Sequence, residues 1–396
     1  MHVSSIEEAR EVLHAARSEN WRVGIQGAGG WNHPDAHRGV SVMLKTTNMS
    51  QLIEHEPADL VATAQSGLTL TTFNRALGRA NQWLPLDPPG NESVTLGGVV
   101  ATGLAGAQAF GYGSPRGHVI GMRVLLADGR LIKAGGRVVK NVAGYDICKL
   151  LVGSYGTLGL ITELTFKLRP RPAREATVVL IGERTTAPLY EAARAILARQ
   201  LLPVAVEMLS PLAAAQVSAH AESEQYALLV RFAGTTQAVV AQSDSLCDIA
   251  SSITGIKSIS VNDNDSQLWL DVAALSLGHP QALVWRGSVK SSSLPDVIAS
   301  LYETDSPQGI MWHAGLGDNR LRVILNEPDQ AAQQQQVEQS RRVLQKHAGS
   351  LIVEAMPAKA SPLSVWGDAG TTQALMKRIK QQLDPENTFP TCGFTE

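Results

Sequence analysis

At 396 residues the chain exceeds the ~250–300 at which one hydrophobic core stops growing, so two domains are expected. Hydrophobic residues at 44% and charged ones at 18% exclude a disordered chain. A balance of 34 basic against 36 acidic residues, net −2, excludes the concentrated positive surface that nucleic acid requires.

Met1 to Asn20 reads as an amphipathic helix, with Ile6, Ala9, Leu13 and Ala16 on one face and Glu7, Glu8 and Glu11 early, where carboxylates suit the helix dipole. That is not a signal peptide, and no stretch reaches the ~18 apolar residues of a membrane span, so a cytoplasmic location is expected. Trp21 to Gln26 is a strand candidate running into Gly27-Ala28-Gly29-Gly30, and short β-runs follow at Val40 to Leu44 and Leu60 to Ala64. Thr69 to Ala80 has helical spacing through Leu70, Phe73, Leu77 and Ala80. Met122 to Ala134 reads as a hairpin turning at Asp128-Gly129, both expected at positive φ. Leu160 to Arg169 alternates with the period of a strand and stops at Pro170-Arg171-Pro172, which marks a boundary between residues 1–172 and 173–383. Past Glu175, strands at Thr177 to Ile181, Val204 to Leu209, Tyr226 to Phe232, Leu283 to Val289, Gly309 to Ala314, Leu321 to Leu325 and Leu351 to Ala355 alternate with helices. That texture predicts an α+β domain on an antiparallel sheet.

Of the 35 glycines, 16 fall between Gly90 and Gly159 among Val, Leu and Ile, which is compact structure needing room for its backbone and not a linker. Gly27-Ala28-Gly29-Gly30 alone fits a plain tight turn. A Rossmann turn would need a helix to open directly after the glycines, and Trp31-Asn32-His33-Pro34-Asp35 is a poor start for one. A second element, Pro85 to Gly98, ends in Ser93-Val94-Thr95-Leu96-Gly97-Gly98. A third, Gly153-Ser154-Tyr155-Gly156-Thr157-Leu158-Gly159, leads into the strand at Leu160. Backbone amides freed by small residues form anion-cradling nests, so glycine loops from separate segments can clamp a diphosphate.

These segments, with LPLDPPGNESVTLGGVVATG and VKNVAGYDICKLLVGSYGTLGLITELTFKLRP, resemble the FAD-binding domain of the vanillyl-alcohol oxidase family, the PCMH-type flavin fold, over nearly all of residues 20 to 170. The resemblance implies an α+β architecture: a two-subdomain PCMH-type FAD-binding domain, then an α+β cap domain with an antiparallel sheet. By matching position it implies FAD contacts at Gly27, Ala28, Gly29, Gly30, Ser93, Thr95, Leu96, Gly97, Gly98, Gly103, Arg116, Val119, Gly153, Thr157, Gly159 and Ile161. Trp31 stands where covalently flavinylated members often place a histidine, so non-covalent FAD is expected.

Within the family, Lys140 to Leu150 is most similar to the E subunits of bacterial glycolate oxidase. That similarity implies a small 2-hydroxy acid such as glycolate or D-lactate as substrate. It also implies a complex with a second FAD-binding subunit and an iron–sulfur subunit passing electrons toward the quinone pool, with membrane contact only through those partners. Cys148, Cys247 and Cys392 include no Cys-x-x-Cys pair, so a cluster would sit on another chain. A stand-alone D-2-hydroxy-acid dehydrogenase and a non-catalytic flavin or scaffold subunit are the alternatives. Catalytic members carry a two-histidine metal motif; the run from His313 to Arg322 has arginine where the second histidine is expected, so no metal site is expected here. His313 reads as a hydrogen-bonded sheet histidine or a catalytic group, and Arg286 and Arg322 as partners of a substrate carboxylate or of protein carboxylates. The segment 384–396 is close to the ending by which family members return to the flavin domain, but lacks its Asn and Pro-Gly.

Overall fold

The computed structural model describes the chain apart from residues 31–37, 91, 137–145, 183–184, 218–223, 264, 278, 280, 304–309, 327–328, 358–362, 368–369, 371 and 394–396. The segments Trp31 to Asp35 and Lys140 to Tyr145 singled out above lie outside the described residues. Two compact units divide the chain: Met1–Ala105 with Gly113–Arg171 and Asp368–Glu396, and Gly106–Tyr112 with Pro172–Gly367. The helix Thr372–Leu383, expected in the second domain, groups with the first unit because Ile379 and Leu383 pack on that unit's core. Gly106–Tyr112 groups with the second, where the Gly111 N–H donates to the Val204 carbonyl at 3.1 Å.

The first unit has two layers of core. In the smaller, the helix Ile6–Ser18, capped by the Ser5 side chain accepting from the Glu8 N–H, lays Ala9, Val12, Leu13 and Ala16 on a parallel pair, Val23–Gln26 and Val42–Lys45. The larger is a five-stranded antiparallel sheet in the order Leu52–Glu56, Val61–Gln65, Leu160–Lys167, Val119–Leu125, Leu131–Gly135. Its core holds Leu164 and Phe166 with Phe73 and Leu77 of the helix Leu70–Leu77 and Val99 and Val100 of the helix Leu96–Thr102. The Val119–Leu125 hairpin turns on Gly129 alone, at φ +82°. Asp128 does not take a positive φ; its carboxylate accepts from the Arg130 N–H at 3.0 Å in a loop closed by Leu126 N–H donating to the Arg130 carbonyl. Among the described residues no helix is long and apolar enough to cross a membrane.

The C-terminal segment is pinned by a buried ammonium. Lys380 Nζ donates to the carbonyls of Thr157 at 2.8 Å and Phe389 at 2.9 Å and to the Asp384 carboxylate, which also accepts from the Thr388 and Phe389 N–H groups. Phe389 is fully buried beside Leu13 and Leu160, so the chain does return to the first unit without the usual ending.

The second unit is an antiparallel sheet of eight strands in the order Ile256–Asp263, Arg174–Gly182, Ala227–Gly234, Ala205–Leu209, Ile310–Gly315, Arg320–Leu325, Leu283–Ser288, Ser350–Ala355. Helices Ala187–Ala198, Thr236–Ser251 and Gln330–Lys346 cover one face through Val178, Phe232, Trp285 and Trp312. Because Arg322 pairs with both His313 and Arg286 across the ladder, all three share the opposite face.

Asp384→Ala would leave Lys380 buried without its carboxylate, a loss of ~3–5 kcal/mol for a broken buried pair. Chemical denaturation should show that loss, with Lys380→Met costing less; an unchanged midpoint for Asp384→Ala would remove this pin from the account.

Candidate functional site

The first unit holds a cleft built from stretches distant in sequence. Gly27, Ala28, Gly29 and Gly30 form one wall, Thr95, Gly97 and Gly98 a second, and Tyr155, Gly156, Gly159 and Ile161 a third. The walls meet because glycine leaves out atoms. A Cβ on Gly27 would lie 2.2 Å from Thr95 Oγ1, and one on Gly97 would lie 2.7 Å from Ser66 Cβ and 2.9 Å from the Ser66 carbonyl. Thr95 is also the cap of the helix Leu96–Thr102, its Oγ1 accepting from the Gly98 N–H at 3.2 Å. The third wall hangs from the far end of that helix: Gly153 N–H donates to the Val100 carbonyl at 3.0 Å and Tyr155 N–H to that of Ala101 at 2.7 Å.

Which amides face a ligand differs from the sequence expectation. Leu96 N–H donates to the Leu68 carbonyl at 2.9 Å and Gly97 N–H to the Ser66 carbonyl at 2.7 Å, so these groups are already spent and Gly97 serves close approach. The N–H groups of Gly27, Ala28, Gly29 and Gly30 have no acceptor among the described residues, and Gly29 sits at φ +80°. Four consecutive amides of this kind suit an anion such as a diphosphate. Ser66 adds a buried Oγ with no partner, on a wall that carries no charged side chain, so a bound anion would be met by amides and hydroxyls.

The remaining expected contacts stand elsewhere. Leu96 and Val119 are in the core. Gly103 is the left-handed cap of the helix Leu96–Thr102, at φ +65°. Ser93 and Arg116 are exposed and do not line the cleft. Gly153 and Thr157 line a separate cavity. Thr46 and Ser66 line the cleft although no motif pointed to them; Tyr155, inside the third glycine segment but not among the expected contacts, lines it too and is held at φ +53°, where a side chain is unfavourable.

In the second unit His313 Nδ1 lies 2.5 Å from Glu207 Oε1, and Arg320 donates to both Glu207 oxygens at 3.0 and 2.8 Å and to Asp318 at 3.2 Å. Burial pushes the Glu207 carboxyl up, but the Arg320 guanidinium and the His313 bond outweigh it and hold the group down at about 2. Burial lowers His313 despite Glu207, which keeps the imidazole neutral with Nδ1–H donated to the carboxylate. Its Nε2 is buried and has no partner among the described residues. Arg286 and Arg322 both donate to Glu354, at 2.8 Å each. Both guanidinium groups are thus engaged by a protein carboxylate.

Comparison with known proteins gives the family and the fold. Residues 1–135 match the FAD binding domain family, and residues 172–390, more than half of the chain, match FAD linked oxidases, C-terminal domain. The glycolate oxidase subunit GlcE of Escherichia coli (strain K12) is 42% identical over 156 residues, 39% of this chain and 43% of that subunit, so the chain spans less than half the length of that relative. The D-2-hydroxyglutarate dehydrogenase of Xanthomonas citri pv. viticola is 25% identical over 413 residues, covering 96% of this chain and 85% of the relative. A solved alkyldihydroxyacetonephosphate synthase superposes with a TM-score of 0.72 at 18% identity, over 98% of this chain and 76% of that one, which shows the fold alone.

The fold is thus that of a PCMH-type flavoprotein, α+β in both units. The chain belongs to the FAD-linked oxidase family. FAD fits the residues present: four amides and a buried Ser66 hydroxyl without a partner among the described residues, and a cleft kept open by Gly27 and Gly97.

A Gly27→Ala chain, with its new Cβ against Thr95, should lose about tenfold in FAD affinity, ~1.4 kcal/mol, at unchanged far-ultraviolet circular dichroism. Flavin retained at the native ratio would show that this close approach does not shape the cleft.

Proposed function

We propose that the chain is an FAD-dependent dehydrogenase subunit that oxidises a small 2-hydroxy acid, of the glycolate or D-lactate kind, with FAD held non-covalently between the Gly27 to Gly30 loop and the walls at Thr95 and Gly159. The observation that carries this reading is the Glu207–His313 pair, whose neutral imidazole keeps an unpartnered Nε2. Bound FAD supplies the hydride acceptor. Glu207 fixes the imidazole tautomer by accepting from Nδ1–H, Arg320 keeps Glu207 ionised, and His313 Nε2, without a partner among the described residues, is the candidate general base. Arg286 and Arg322 act by holding Glu354 and the sheet in place, since their pairing with it would have to break before either met a substrate carboxylate.

The full machine is proposed to include a second FAD-binding subunit and an iron–sulfur subunit. Its support is the likeness to a protein named as a glycolate oxidase subunit and the lack of clustered cysteines in this chain. A second reading, a flavin-carrying subunit without turnover of its own, is favoured by the engagement of Arg286 and Arg322 with Glu354. Assay of the chain alone and co-expressed with its partners separates the two.

His313→Gln should keep its flavin and lose ~10²–10⁴-fold in kcat, the usual contribution of a positioned base. In the native protein kcat/KM should fall at acid pH with an apparent pKa below ~6.5, because burial lowers the imidazole and its protonation removes the base. A variant with native kcat and an unchanged acid limb would refute this role.

A further inference from the structure

A second cavity, of ≈ 150 Å³, lies within the first unit between the third glycine segment and the C-terminal helix, lined by Leu150, Ser154, Leu158, Met376, Ile379 and Lys380 among others. That size holds one benzene-like ring. Its chemistry is narrow. Among the described residues Lys380 brings its only charge, and the ammonium is committed to Thr157, Asp384 and Phe389, so the cavity receives only the aliphatic stem. A carboxylate ligand therefore finds no counter-charge. Among the buried polar atoms of its described lining, Ser154 Oγ, on a residue 7% exposed, is without a partner. Leu150 at 37% and Met376 at 39% exposure leave the lining apolar out to solvent. The segment that lines this cavity with Ser154 and Leu158 lines the flavin cleft with Tyr155, Gly156 and Gly159, so one loop separates the two.

We infer that this cavity binds an uncharged, lipophilic one-ring compound bearing a carbonyl, with the ring in the apolar pocket, the carbonyl accepting from Ser154 Oγ and any alkyl substituent leaving past Leu150 and Met376. A substituted benzoquinone is the redox-active member of that class. Taking up two electrons and two protons, it leaves as the hydroquinone; these are the equivalents a 2-hydroxy acid releases on becoming a 2-oxo acid. That redox meaning rests on the activity proposed above, whereas the binding does not.

The test is calorimetric titration of the flavin-loaded chain with a decyl-substituted 1,4-benzoquinone. One saturable site is expected, weakened about tenfold (~1.4 kcal/mol) by Met376→Glu, which puts a charge on the apolar lining, and about threefold by Ser154→Ala, both at native flavin content. No saturable binding, or binding indifferent to Met376→Glu, would overturn the inference. Loss of flavin from Ser154→Ala would also overturn it, by making the cavity part of the cofactor site. A chain inactive on 2-hydroxy acids both alone and with its partners, yet still binding the quinone, would sink the dehydrogenase reading and leave this site standing.

Discussion

Three segments far apart in sequence lie against one another in the first unit because Gly27, which faces Thr95, and Gly97, which faces Ser66, carry no side chain. Thr95 Oγ1 and the Ser66 carbonyl occupy the space a Cβ would take. From this contact the rest of the cleft follows. Thr95 also starts the helix Leu96–Thr102, and that helix in turn holds the loop from Gly153 to Tyr155 at its end, so the three walls are set by one short element. Among the described residues the Gly27 to Gly30 amides find no acceptor, while Thr95 Oγ1 accepts from Gly98 and the Ser66 carbonyl from Gly97. A flavoprotein needs such a fixed set of donors before its cofactor arrives, since donors already in place need no further ordering on binding.

The second unit depends on a different constraint, the burial of charge on one face of its sheet. Glu207, His313 and Arg320 form one set, Arg286, Arg322 and Glu354 another, and Arg231 with Asp265 a third. Each set is internally paired, which is the condition under which buried charge is tolerated. His313 stands out because the pairing satisfies one ring nitrogen and leaves the other open. Glu207 remains ionised through the whole neutral range, so its contribution to stability is present above the ordinary carboxylate pKa and is lost only as pH falls toward about 2.

Patterns confined to a few consecutive residues were legible in the sequence. The hairpin around Gly129 and the strand Leu160–Lys167 followed from local turn chemistry and alternation, and the glycine segments marked where backbone comes close. The edge strand Ile256–Asp263 was not legible, because Lys257, Ser258 and Ser260 interrupt its apolar residues and it pairs on one side only. Nor does a glycine announce whether it offers an amide or makes room; Gly29 leaves its amide open and Gly97 makes room, and only the partner of each N–H distinguishes them. Ser66 and Glu207 belong to no motif, and Tyr155 and Arg320 lie inside motif runs without a role being assigned to them; their roles arise from contacts across the fold, such as that between Glu207 and Arg320, 113 positions apart. The C-terminal ending departs from the family pattern at its Asn and Pro-Gly, yet Lys380 and Asp384 hold it in place by other bonds.

Amide-resolved hydrogen exchange with and without FAD tests most directly whether the open amides of the first loop hold the cofactor. The account predicts that Ala28, Gly29 and Gly30 gain strong protection when FAD binds, while Leu96 and Gly97, already bonded to Leu68 and Ser66, change little. Protection appearing at Leu96 and Gly97 with the first loop still exchanging freely would contradict it.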